Sequence, residues 1–343
     1  MVTAGMIWEW VIKSIVIILF MTAGFAYTTL YERKVLARIQ ARIGPNRAGP
    51  FGILQPVADG LKLIFKEELV PSYADKIIFL LAPVITVIPA LIITAVVPWG
   101  ETFTIGSRTY TWYLADVNIA VLYLMAVTSI SVYGITLAGW SSNNKYALLG
   151  GLRSTAQMIS YELALGLAFV GPILLAGSMS LVDIVHGQAK LWYIFLQPVG
   201  FLLFFIASVA EVNRAPFDMP EAEQELTAGY HSEYSGMKFA LFFMAEYIKM
   251  IAVAMIGSTL FLGGYLSPLN FLSDLPVVGW LFGGGPHWLL LKVAVWLFVM
   301  IWIRATLPRI RYDRLMALGW KILFPVGMLN VVVTAVVIVL VGG

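Results

Sequence analysis

The sequence predicts an all-α, polytopic membrane protein of about eight spanning helices, with one amphipathic surface helix in its first long loop. Three observations carry that expectation. Of the 343 residues, 60% are hydrophobic and 12% charged, against about 45–50% and about 25% in soluble domains. Mean hydropathy is +0.87. The charges are also sorted, long charge-free stretches alternating with short charged ones, and a hydrocarbon core needs about 20 apolar residues per helix. The whole chain, 1–343, reads as a single membrane domain, with charged loops at 32–76, 211–238 and 304–321.

Taken in order, the first span is Val11–Tyr31, too long for the core of a cleaved signal peptide and read as retained. The loop 32–76 opens with Gly and Pro turn signals from Gly44. It then sets Leu54, Val57, Ala58, Leu61 and Ile64 on one face of a helix, with Gln55, Asp59, Lys62 and Lys66 largely elsewhere. Such a helix lies along a membrane surface or against a partner. Spans two to four are Ile77–Pro98, Val117–Gly139 and Thr155–Ala176; spans five to eight are Leu191–Ala210, Phe239–Leu262, Leu289–Ile303 and Ile322–Val341. Trp8, Trp10, Trp99, Trp140, Trp192 and Trp288 fall near span ends, where an amphipathic ring suits the headgroup layer.

Seventeen Lys and Arg fall in the odd-numbered loops, against four (Lys13, Arg108, Lys190 and Lys292) on the other side. The positive-inside rule then puts the charged loops in the cytoplasm and both termini outside. Zero cysteines exclude disulfides, thiolate zinc, cysteine-held iron–sulfur clusters and thiol catalysis from this chain. His186, His231 and His287 lack paired spacing and read as solvated loop residues.

The loop 211–238 is unusually acidic. Glu211, Asp218, Glu221, Glu223, Glu225 and Glu233 share it with the cations Arg214 and Lys238 alone, among Pro216, Phe217, Pro220, Tyr230 and Tyr234. A solvated loop would not need this aromatic surface, and carboxylates so crowded repel one another and favour exchange of protons. Within the spans, Glu162 lies nine residues past Arg153, about 13 Å along a helix. Intramembrane acids cost about 2.5–3.5 kcal/mol each on insertion scales and usually line proton or ion paths. Glu246 and Lys249 are one turn apart, so mutual neutralisation stands beside a functional reading. The basic stretch 304–315 suits either anionic lipid or a soluble partner.

Four blocks, ERKVLARIQARIGPNRAGPFGILQPVADGLKLIFKE, RSTAQMISYELALG, AEVNRAPFDMPEAEQELTAGYHSEYSGMKFALFFMAEY and RATLPRIRYDRLMALGWK, resemble the H-subunit family of bacterial NADH:quinone oxidoreductase, respiratory complex I. The resemblance spans nearly the whole chain. It implies an eight-helix subunit in the bacterial plasma membrane that forms a quinone tunnel with peripheral-arm subunits. Arg33, Arg42, Asp59, Arg214, Phe217, Asp218, Glu221, Glu223 and Glu225 would line or support that tunnel. Glu162, Glu211 and Glu246 would form a buried proton relay toward antiporter-like subunits, whereas Lys249 matches no family role. The resemblance further implies that this chain binds no cofactor alone, that FMN and iron–sulfur clusters reside on partner subunits, and that quinone is the substrate. The implied partners are the iron–sulfur and quinone-site subunits, small membrane subunits, antiporter-like subunits and lipid; nucleic acid is not among them. Two alternatives stay open: the membrane anchor of a related ferredoxin-driven complex or hydrogenase, and an ion-coupled secondary transporter. A carrier would usually show repeats in its two halves, and no convincing repeat is visible here.

Overall fold

Away from water each backbone N–H and C=O must be satisfied inside its own segment, so charge-free stretches of this length become helices. The structure, a computed structural model, describes residues 4–105, 108–219, 228–268 and 283–342. Helix α1 spans Ala4–Ile39, a short 3-10 turn follows at Pro50–Gly52, and α2 is Gln55–Ile64. Then come α3 (Lys76–Ile92), a 3-10 extension Ile93–Val96, α4 (Ala120–Ser141), α5 (Lys145–Ala176) and α6 (Leu181–Gly187). The chain continues through α7 (Tyr193–Leu196), α8 (Pro198–Glu211), a 3-10 turn Gly229–His231, α9 (Gly236–Phe261) and α10 (Pro286–Thr306). It ends in α11 (Tyr312–Leu318), a π-helical turn Gly319–Leu323 and α12 (Phe324–Gly342).

Among the described residues seven helical runs are long and apolar enough to cross a membrane, the last joining α11, the π-helical turn and α12. The fifth predicted span, Leu191–Ala210, is broken. Its continuous part, α8, has 14 residues, about 21 Å at 1.5 Å per residue. The break falls at Gln197, because the following Pro198 disfavours helical backbone in the residue before it. The side chain of Gln197 makes good the interruption: Nε2 donates to Thr334 Oγ1 at 2.6 Å and Oε1 accepts from Asn330 Nδ2 at 3.0 Å.

The all-α expectation also needs one amendment. Strands β1 (Thr102–Ile105) and β2 (Arg108–Thr111) pair antiparallel, with Thr102 opposite Thr111 and Ile105 opposite Arg108. Two helix ends are capped as local chemistry requires: the Asn144 side chain accepts from Tyr146 N at 3.0 Å to start α5, and α5 stops where Gly177 turns left-handed at φ 65°.

Helix α9 is the centre of the bundle, with 67% of its most apolar stretch buried against 11% for α1 and 17% for the terminal run. It packs against α1, α3 and α10, while α3, α4, α5 and α8 pack in succession around it. Close approach of α3 and α4 depends on Gly134, where an added Cβ would collide with Thr86. The C-terminal end of α9 is held by Lys292 of α10, which is buried and sends its three donors to the carbonyl oxygens of Leu262, Gly264 and Leu266 at 2.6, 2.7 and 2.6 Å. Lys292 also sits 4.5 Å from the Trp192 ring. That lysine is thus no solvated loop charge, as its place near the start of a predicted span suggests.

The predicted amphipathic helix is α2, and its apolar face remains open: Leu54, Val57, Leu61 and Ile64 are all exposed. Of the tryptophans assigned to an interfacial belt, Trp8, Trp10 and Trp140 are exposed, but Trp99 is buried with its ring edge-on to Phe20 at 5.0 Å.

Candidate functional site

The buried charges gather where the ends of α1, α8, α9 and α10 meet. Helix α8 terminates at Glu211, and Asn213, at φ 56°, turns the chain in a left-handed conformation that Asn tolerates. That reversal points Arg214 back into the bundle, where its Nε lies 2.6 Å from Glu246 Oε1 and its Nη1 donates to Glu32 Oε1 at 3.5 Å. The guanidinium also lies 4.2 Å from the centre of the Tyr247 ring. Burial alone would lower the pKa of Arg214, but the carboxylates of Glu246 and Glu32 outweigh it and hold the cation above its ordinary range. Glu32 itself accepts from the Tyr247 hydroxyl at 2.7 Å and pairs with Arg304 from the end of α10. Sequence reasoning passed over Glu32, although it stands at the end of the first span immediately before Arg33.

Next to it in the chain, Arg33 faces outward. Its Nη1 pairs with Asp59 Oδ2 of α2 at 2.6 Å, and it lines an open cavity of about 410 Å³ together with Arg42, Ile43, Gly44 and Pro45. Arg42 is exposed and donates to Gln40 Oε1 at 2.7 Å. The structure therefore brings Arg33, Arg42 and Asp59 together on the surface, and Arg214 with Glu246 beneath it. Phe217 is buried beside Tyr161, ring centres 5.8 Å apart, and Asp218 is half-buried, close enough for its charge to act on Glu246. Glu221, Glu223 and Glu225 lie outside the described residues.

Gln157 of α5 fixes this stretch from below. It is fully buried, and its Nε2 donates to the carbonyl oxygens of Ala210 and Phe217, both at 2.7 Å. Asn213 Nδ2 donates to Ser154 Oγ at 3.2 Å. A single turn of α5, bearing Ser154 and Gln157, thus sets where the chain leaves α8.

Deeper in the bundle Glu246 and Lys249, whose mutual neutralisation is one of the two readings of their spacing, form no ion pair with each other. Glu246 is taken by Arg214, and Lys249 donates instead to Ser131 Oγ of α4 at 2.5 Å, within reach of the charges of Glu211, Glu246 and Glu162. The nearer partners come from elsewhere in the chain: Arg214, from the turn after α8, reaches Glu246, and Ser131 of α4 meets Lys249. Glu162 accepts from Ser129 Oγ, with Thr128 Oγ1 at 3.5 Å. Two small cavities join these groups. One of about 20 Å³ is lined by Glu211, Asn213, His231, Glu246 and Lys249. The other, about 10 Å³, is lined by Glu211 and Thr128 among apolar neighbours. Each approaches or exceeds the roughly 10–15 Å³ that a water molecule needs, and Glu211 borders both.

His231 departs from its expected place in solvent. It is buried among Tyr230, Phe239 and Phe242, and burial pushes its pKa down to about 3. The apolar flanks of residues 229–242 carry the signal for this, since Tyr230, Phe239 and Phe242 recur around it. His186 and His287 are exposed. Among the described residues no group of three or more His, Cys, Asp or Glu could hold a metal ion.

The NADH dehydrogenase family profile matches residues 12–335. A Geobacter metallireducens protein, named as H subunit 2 of NADH-quinone oxidoreductase, is 51% identical over 340 residues, 96% of this chain and 95% of its own length. H subunit 1 of the Geobacter sulfurreducens NADH-quinone oxidoreductase is 52% identical over 340 residues, covering 96% and 94%. The H subunit of the Thermomicrobium roseum NADH-quinone oxidoreductase is 51% identical over 322 residues, 91% of each chain. With its helical bundle, its buried carboxylates and this likeness along almost its whole length, the chain belongs to the NADH dehydrogenase family.

Proposed function

We propose that this chain is the H subunit of a proton-translocating NADH:quinone oxidoreductase, and that it couples reduction of quinone to movement of protons. The observation that carries the reading is the run of acids from surface to interior. Asp59 pairs with Arg33 at the surface, Glu32 and Glu246 share Arg214 beneath, and Glu211 then borders two cavities on the way to Thr128 and Glu162. A bundle needing only stability would not place four carboxylates here, since each buried charge must be compensated.

The chemistry fits such a run. Reduction of quinone to quinol consumes two electrons and two protons, and the headgroup gathers negative charge before it is protonated. That charge favours protonation of nearby carboxylates and weakens the hold of Arg214 on Glu246, so a redox event at the surface becomes a displacement of protons along the acids. Flavin and iron–sulfur groups supply the electrons from partner subunits, consistent with a chain that has no cysteine. The tunnel would be lined by Arg33, Arg42, Asp59, Arg214, Phe217, Asp218, Glu221, Glu223 and Glu225, with the charged loops in the cytoplasm and both termini outside.

The test is Glu162→Gln and Glu211→Gln in the assembled complex, reconstituted in sealed vesicles. The proposal expects each complex to assemble but lose most quinone-linked NADH oxidation and proton pumping. Normal coupled turnover in both would overturn it.

A further inference from the structure

Three residues that line the 20 Å³ cavity each carry a buried polar atom without a hydrogen-bond partner among the described residues: Glu211 Oε2, Asn213 Oδ1 and His231 Nε2. They come from three different parts of the chain, the end of α8, the turn after it and the 3-10 turn before α9. Each would cost about 1–3 kcal/mol if left unsatisfied, so three such residues around one cavity call for a common partner. A buried water makes two to four hydrogen bonds, and the cavity has room for one. The Asn213 amide is fixed by its Nδ2, which donates to Ser154 Oγ, and its oxygen is left without a partner among the described residues.

We propose that His231 is a positioning residue for proton transfer, holding through Nε2 a water that connects the Glu246 end of the site with Glu211. The proposal rests on the proton path proposed above. His231 is 6% exposed and its ring is clamped among Tyr230, Phe239 and Phe242, so its Nε2 is a fixed post. The titratable groups that share the cavity are Glu211, Glu246, Lys249 and Tyr230. Burial keeps the imidazole neutral, which lets it hold a water without adding a charge that would trap the proton. In the transfer a carboxylic acid at Glu246 gives its proton to the water, the water gives another to the carboxylate of Glu211, and water and imidazole end as they began.

The experiment uses the assembled complex in sealed vesicles and compares His231→Phe, which keeps ring packing but removes the polar atom, with His231→Gln, which returns one at similar reach. The expected result is a roughly tenfold loss of coupled turnover in the Phe variant, the scale of one hydrogen bond lost from a limiting step. A larger solvent deuterium isotope effect on turnover accompanies it, and the Gln variant recovers most of both. A Phe variant with normal turnover and an unchanged isotope effect overturns the proposal. If Phe does not assemble, His231→Leu is read in its place; failure of both beside an intact Gln complex makes the polar atom a structural need and also overturns it. Glu211→Gln, run alongside, separates the two readings: if it is impaired while His231→Phe is normal, only the role of His231 fails, and if both are normal the proton path fails with it.

Discussion

At the scale of single residues, Glu32 shows how position in a sequence understates a side chain. It follows Tyr31, the last residue of the predicted span, and reads as the first residue of a solvated loop, yet it is 3% exposed and met by Arg214, Arg304 and the Tyr247 hydroxyl. Its partners lie about 180 to 270 positions away, and no local spacing could announce them. Arg33 with Asp59 and Arg214 with Glu246 lie far closer in sequence, each pair within one sequence block, yet Lys249, one turn from Glu246, masked Arg214 as its partner. His231 has a consequence for pH. Its folded pKa lies below the ordinary value of about 6.5, so the stability gained by burying it neutral is complete above that pH and is lost as the pH falls from there toward 3. By pH 5.5 the segment 228–235 should be weakened by about 1.4 kcal/mol relative to pH 7.5. Hydrogen exchange of that segment at the two pH values will measure it, and His231→Phe should remove that part of the difference.

Among the elements, the long spans were legible because hydropathy and length suffice to name a membrane helix. The break in the fifth is marked in the sequence only by Pro198, since the run Leu191–Ala210 is as apolar as its neighbours. The hairpin of β1 and β2 escapes a reading based on charge-free runs, which is blind to period-two patterns, although Thr102–Ile105 and Arg108–Thr111 alternate as paired strands do. Helix α9 depends on its C-terminal anchor. Replacing Lys292 by Met removes all three donors from the carbonyls of Leu262, Gly264 and Leu266 while keeping an apolar stem. The expected cost is about 3–5 kcal/mol, the scale of a broken buried charge site. It should be read as a lower melting temperature of the purified complex, with Lys292→Arg falling between Met and the native residue.

For the whole molecule, scarcity of charge is less informative than its depth. The exposed Arg33–Asp59 pair and the buried Arg214–Glu246 pair have the same separation of 2.6 Å, but solvent and salt reach only the first. Double-mutant cycles on thermal stability should therefore give a coupling of about 0–1 kcal/mol for Arg33 with Asp59 that fades between roughly 0.1 and 1 M salt. The coupling of Arg214 with Glu246 should be several times larger and nearly indifferent to salt; equal salt sensitivity would contradict the burial described. The general plan of an apolar bundle with acids at one end was readable from the sequence, because sorting of charge along a chain survives folding. Which acid met which cation was not, because that is decided by helices crossing in three dimensions. The lysine that closes the far end of α9 adds a mechanical meaning to this plan. With three backbone carbonyls tied just past its C-terminal end and the arginine-held glutamate near its middle, α9 is gripped at two points along its length. Held at both places, the helix is restrained from sliding along its own axis.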